Sequence, residues 1–155
     1  MFAEIIRIIA ILCSGLFAGI LLGDRMGASF GRPALDVSAF VRFQQIQHKY
    51  FERMMPPLML GCILGAGGWL FSLRGASASL EVWLVGIATA SILLGGVLTA
   101  SINVPINKQL EKWNVAAPPA NVREIWMRWE KIHSIRTVLW LGAFVLEAIA
   151  LTISR

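Results

Sequence analysis

The sequence predicts an all-α, four-helix transmembrane bundle with a cytoplasmic amphipathic helix before the second span and a long fourth helix. Three observations carry that prediction. Hydrophobic residues make up 57 % of the 155-residue chain and the mean hydropathy is +0.69, well above the roughly 45–50 % apolar share of an ordinary soluble domain. Four apolar stretches, 5–22, 54–73, 82–102 and 138–153, are long enough, or nearly so, to cross about 30 Å of hydrocarbon at about 1.5 Å per residue. Eleven of the fourteen Lys and Arg lie in segments 23–53 and 103–137, which leaves Arg7, Arg74 and Arg155 for the opposite side. The positive-inside rule then gives one membrane domain over 1–155, of the bacterial inner or plasma membrane type, with both termini outside and both long loops cytoplasmic.

Charge and cysteine content exclude several function classes. The net charge of +5 follows from that topology and suits anionic headgroups of membrane lipid. Nucleic acid is not an expected partner, because no basic run is interleaved with exposed aromatics. Cys13 and Cys62 both fall inside apolar stretches, where they serve as small packing residues and not as a disulfide framework. The first stretch lacks the positive start and small-residue cleavage site of a signal peptide, so it is read as a span.

The elements come in chain order. Gly15, Gly19 and Gly23 in the first span, and Gly61, Gly65, Gly67 and Gly68 in the second, form ridges that let helices approach closely in lipid and would allow a homo-oligomer. Gly31 to Pro33 breaks the chain, and Asp36 or Ser38 caps a helix running to Met55. Pro56-Pro57 marks its joint with the second span. The short segment Arg74 to Ser79 joins spans two and three as a hairpin. Pro105 cannot donate to the Ser101 carbonyl, so the third span should kink or open near Asn103 and Asn107, turning two amides inward. Asn121 caps the last helix, whose 33 residues from Val122 to Ser154 would span about 50 Å and so project roughly 20 Å beyond the hydrocarbon.

Histidine occurs twice, each time on an inward stripe at the mouth of the bundle. Val37, Phe40, Val41, Gln44, His48, Phe51 and Met55 share one face, and Trp126, Trp129, His133, Arg136, Trp140 and Ala143 share another. An imidazole so placed can move protons or bind a metal. His48, Asn107, His133 and Arg136 are therefore expected to line one cavity as catalytic groups. Trp129, Trp113, Gln44, Asn103 and Tyr50 are expected to bind substrate, the aromatics as flat walls and the guanidinium beside them for an anionic oxygen. Metal ligation is a weaker alternative through His48-x-x-x-Glu52 and Glu130-x-x-His133, since a di-iron site needs carboxylates the chain does not offer. No cofactor is otherwise expected. Glu147 lies deep in the last span and needs a partner, for which Arg7, entering from the same side, is the candidate ion pair.

Pro105-x-Asn107-x-x-Leu110 after the third span, with Arg128-Trp129, His133 and Arg136 further on, resembles the anthrone-oxygenase-like family of small four-helix membrane proteins, many of them labelled only as a domain of unknown function. The Gly-rich first span also fits. By position Asn107, Trp129, His133 and Arg136 match the family pattern, whereas His48 and Gln44 come from periodicity alone. The resemblance implies oxidation of a polyketide anthrone to an anthraquinone with molecular oxygen and no conventional cofactor. The expected activity is thus a cofactor-independent monooxygenase acting on an apolar phenolic or polyketide molecule by proton abstraction and reaction with O2. A non-enzymatic accessory protein binding a lipid or quinone, and a metal-dependent enzyme, stand as the alternatives.

Overall fold

A computed structural model describes residues 2–75 and 79–154. All regular structure among them is helical. Four helices account for it: α1 (Phe2–Ala34), α2 (Val37–Ser72), α3 (Leu80–Leu110) and α4 (Val122–Ile153), each long and apolar enough to span a membrane. They pack in the cyclic order α1, α2, α3, α4, with α4 closing back on α1. Residues 76–78 of the expected hairpin loop, and Arg155 of the charge count, lie outside the described residues.

The outer surface identifies the solvent. Leu12, Leu64, Phe71, Trp83, Val97 and Val138 are all more than half exposed, where a water-soluble bundle would place polar side chains. Lipid accepts such a surface without cost, so the chain is an integral membrane four-helix bundle. Inside, Phe17 stacks on Trp140 with ring centroids 4.0 Å apart, and Cys62, Ala66, Ile92 and Ala143 complete the central core. Ala10, Trp69, Val85 and Ala150 fill the end near the chain termini.

Glycine sets the closest helix contacts. A Cβ at Gly65 of α2 would stand 2.7 Å from the Ala10 Cα of α1, and one at Gly61 would stand 2.8 Å from the Cys13 sulfur. The ridge of α2 is therefore used within the chain. Gly15 likewise admits Phe144, while Gly19, Gly23 and Gly67 meet nothing within 4 Å. Gly95 on α3, which the ridge pattern does not single out, gives way to the Trp140 indole of α4.

Several boundaries differ from the sequence reading. The first helix does not break at Gly31 to Pro33. It runs on through a π-helical turn at Asp24–Ala28 and a 3-10 turn at Arg32–Ala34, ending where Leu35 becomes extended. Asp36 then caps α2 by accepting from the Ala39 N–H. Pro56 and Pro57 lie inside one continuous 36-residue helix instead of forming a joint; each removes one i to i−4 bond, from the carbonyls of Glu52 and Arg53. The expected opening before Pro105 takes the form of a second π-helical turn, Thr99–Asn103. Asn121 occupies the cap position of α4 without a side-chain cap bond.

The expected Arg7–Glu147 ion pair is replaced by two separate contacts. Arg7 pairs with Glu81 at 3.1 Å, and Glu147, fully buried, accepts a short hydrogen bond from the Ser14 hydroxyl. Depth explains the difference. Arg7 and Ser14 are two turns apart on α1, so Arg7 stands about 10 Å from the level of Glu147. At its own level it meets Glu81 Oε1, which also accepts from Trp69 Nε1 at 3.1 Å and the Ser154 hydroxyl at 2.6 Å. One carboxylate oxygen thus ties α1, α2 and α3 to the C-terminal end of α4.

Candidate active site

At the end of the bundle carrying the long loops, the four helices part around a cavity of about 390 Å³. That volume falls in the range of roughly 300–1,000 Å³ usual for small-molecule sites. His48, Asn107, His133 and Arg136 all line it, together with Gln44 and Trp129. The two inward stripes of α2 and α4 therefore face a common space.

Both π-helical turns lie at this level. A π turn inserts one residue into the helical repeat and rotates the downstream residues about the axis, a feature frequent at functional sites. In α1 the turn begins at Asp24, which lines the cavity. In α3 it ends at Asn103, 1 % exposed.

Asp24 is the electrostatic centre. Its Oδ1 accepts a short bond from Arg32 Nη2 and a bond of 2.7 Å from Gln47 Nε2. Gln47 Oε1 in turn accepts from Arg32 Nη2 at 2.8 Å. The second carboxylate oxygen, Oδ2, stands 3.3 Å from His133 Nε2, an ion-pair distance without full hydrogen-bond alignment. His133 Nδ1 has no hydrogen-bond partner in the protein, and neither do Gln44 Oε1, Trp129 Nε1 or Arg136 Nε. Leaving several buried polar atoms unpaired costs about 1–3 kcal/mol each, so the cavity is chemically prepared for a polar ligand group.

Aromatic rings build one wall. Trp126 stacks on Trp129 at 4.3 Å and Trp129 on His133 at 4.8 Å, while Phe40 meets Trp126 edge-on at 5.3 Å. The Arg32 guanidinium lies over Trp126 and Trp129, at 5.4 and 5.9 Å from their centroids, adding cation–π attraction that fixes the ladder. Arg136 is a second cation at the cavity, and its Nη1 donates to Asn103 Oδ1 at 2.9 Å; Asn103 Nδ2 donates to the Trp129 carbonyl at 3.2 Å.

Four expected roles change. Asn103 does not line the cavity and braces Arg136 from behind. Trp113 sits in a separate cluster with Phe40, Val41, Leu110, Val122 and Trp126, because the turn after α3 folds it under α2, where Gln45 bonds its carbonyl at 2.9 Å. Tyr50 points outward with 68 % exposure, two residues off the inward stripe. Glu130 faces Arg25 and Arg32 at 3.8 and 3.7 Å, so it is not a ligand partner of His133. The metal-type grouping is instead His48, Glu52 and Glu111, whose ligand atoms lie within 4.8 Å of one another, with His48 Nε2 at 3.0 Å from Glu111.

Asp24, Arg32, Gln47 and Glu111 are site residues that the sequence pattern does not single out. Gln47 is legible in principle, since it comes three residues after Gln44 at helical spacing and precedes His48 on the same face. Asp24 carries a fainter signal as the acid that closes an otherwise apolar span. Its inward direction is also legible, since it continues at +3 the buried stripe Ala10, Ser14, Phe17, Leu21 of the same helix.

This arrangement of Asn107, Trp129, His133 and Arg136 around a cavity coincides with a family match. The anthrone oxygenase family model covers residues 43–146. The chain belongs to the anthrone oxygenase family. No similar curated protein and no similar solved structure was found. In this anthrone oxygenase family member the matched stretch begins within α2, so Gln44, His48, Asn107, Trp129, His133 and Arg136 lie inside it, whereas Asp24 and Arg32 on α1 lie before it.

Proposed function

We propose that the protein is an integral membrane oxygenase that converts an apolar, anthrone-like phenolic or polyketide substrate to the corresponding quinone with molecular oxygen. The single observation carrying this reading is the His133 imidazole, 2 % exposed, beside Arg136 in a cavity walled by stacked indoles. In the proposed reaction His133 removes a proton from the methylene opposite the ring carbonyl. The electrons pass into the ring system and the carbonyl oxygen becomes an enolate, held by Arg136 and Asn107. The carbanion carbon reduces O2 and forms a C–O bond to it. The hydroperoxide then loses water to give the second carbonyl, so one anthrone and one O2 yield one anthraquinone and one water. Trp129 and Trp126 hold the flat ring system, and His48 and Gln44 face it from α2.

Purified protein in detergent, given an anthrone, should consume one O2 per quinone formed. Binding without oxygen uptake would overturn the oxygenase reading and favour a non-catalytic lipid- or quinone-binding role. A metal-dependent enzyme is the second reading, favoured by the grouping of His48, Glu52 and Glu111 at the cavity. One imidazole and two carboxylates suit Zn2+, Mn2+ or Fe2+. Stoichiometric metal, with oxygen uptake lost on chelation and in Glu111→Gln, would select this reading over the first.

The positive-inside rule supports a cavity mouth on the cytoplasmic side, because eleven of the fourteen Lys and Arg belong to the two long-loop segments. Substrate then enters from the inner leaflet. A reporter that works only outside the cytoplasm should be active when fused after residue 155, and one that works only inside should be silent; the opposite pattern overturns the orientation.

A further inference from the structure

We infer that Asp24, supplied by the helix that precedes the family match, is a positioning residue that sets the tautomer of His133. The inference rests on the reading of His133 as the base. Three features of the site lead to it. The Asp24 carboxylate is locked on one side, because Oδ1 is held by Arg32 and by Gln47, and these two hold each other at 2.8 Å. The imidazole plane is locked by stacking on Trp129 at 4.8 Å with 22° between the rings. The two locked groups meet through Asp24 Oδ2 and His133 Nε2 at 3.3 Å.

A carboxylate accepts hydrogen bonds and donates none. Neither ring nitrogen makes a fully aligned hydrogen bond within the protein, but Nε2 alone has a carboxylate oxygen at ion-pair distance. Facing Nε2, that carboxylate favours the imidazole form with the proton on Nε2 and leaves the lone pair on Nδ1. When Nδ1 takes a proton from substrate, the new imidazolium already has a fixed anion at its far side. No reorganisation is then needed at the moment of reaction. An ion pair between Asp24 and Arg32 alone would satisfy the charge of both groups, so the contact with His133 is what a purely structural role leaves unexplained. Asp24 continues the buried stripe Ala10, Ser14, Phe17, Leu21 of α1 at helical spacing, which aims its carboxylate inward.

The chain's two histidines make the test direct. In the full-length protein carrying His48→Asn, with 15N-labelled histidine and reconstituted in nanodiscs, His133 is the sole imidazole. Its unprotonated ring nitrogen should be Nδ1. In Asp24→Asn, whose amide can donate as well as accept, both tautomers should be populated, and Gln47→Leu should shift the ratio the same way by a smaller amount. In the parent protein, Asp24→Asn should lower kcat about tenfold or more with KM little changed, as expected when a base is misoriented and not when substrate binding is lost. A proton on Nδ1 in the reference protein, or tautomers unmoved in both variants, would overturn the inference. Gln47→Leu decides the matter if Asp24→Asn does not fold. A tautomer that responds in a protein that turns over no anthrone would support the Asp24 contact while removing the oxygenase reading, so the two failures are separable.

Discussion

Replacing His133 with Gln should lower anthrone oxidation by about 10²–10⁴-fold, the usual contribution of a positioned general base. Glutamine nearly preserves the volume of the ring and keeps polar atoms near Asp24, so the bundle is expected to fold. The loss of stacking on Trp129, at 4.8 Å in the native protein, should cost about 0.5–1.5 kcal/mol of stability. The rate loss should appear in kcat, because the substrate walls, Trp126 and Trp129, stay in place. Initial rates of oxygen uptake in detergent micelles, with quinone measured separately, provide the readout. An unchanged kcat would remove His133 from the mechanism whatever the fate of the rest of the site.

Replacing Glu81 with Leu should destabilise the bundle by about 3 kcal/mol, the lower end expected when one partner of a buried charge pair is removed. The lower end applies because Arg7 and Glu81 retain 16 % and 15 % side-chain exposure. Three donors lose their common acceptor at once: Arg7, Trp69 and Ser154. Adding Arg7→Met should recover a large part of the loss, since no orphaned charge then remains in the bundle. Glu147→Gln should cost much less, because the amide can still accept from the Ser14 hydroxyl that Glu147 accepts from now. Thermal unfolding of the four proteins in one detergent compares them directly. Equal losses for Glu81→Leu and Glu147→Gln would contradict the separation of Arg7 from Glu147.

The Glu147 pairing shows how far a sequence reading reaches in lipid. An intramembrane acid needs a partner, and that requirement is legible. Which partner it finds depends on depth and rotation between helices, here a displacement of two turns between Arg7 and Ser14. A hydroxyl at the right level satisfies the carboxyl more readily than a cation two turns away. The same limit applies to the metal-type grouping. Helical spacing brings His48 and Glu52 together, but Glu111 joins them from the end of α3, where sequence distance carries no information.

On the candidate site, the stripes of α2 and α4 are legible because a side chain's face on a regular helix is a local property. Gln44, His48, Trp129, His133 and Arg136 all line the cavity to which those stripes point. Tyr50, at 68 % exposure, is an expectation from composition without periodicity, and it faces outward. Asn103 is expected in the right region with the wrong neighbour, since the π turn at Thr99–Asn103 turns it toward Arg136 instead of the cavity.

By itself the sequence determined the solvent, the helical class, the four crossings and the two inward faces, because hydropathy and the 3.6-residue repeat act over a single helix. Tertiary structure alone decided that Asp24 reaches His133, that Glu81 gathers Arg7, Trp69 and Ser154, and that Asn103 braces Arg136. Those contacts depend on the depth and rotation of one helix against another. They are set by close approaches such as Gly65 on Ala10 and Gly95 on Trp140, and by π-helical turns that shift the register of every residue beyond them. Neither leaves a periodic trace in the chain.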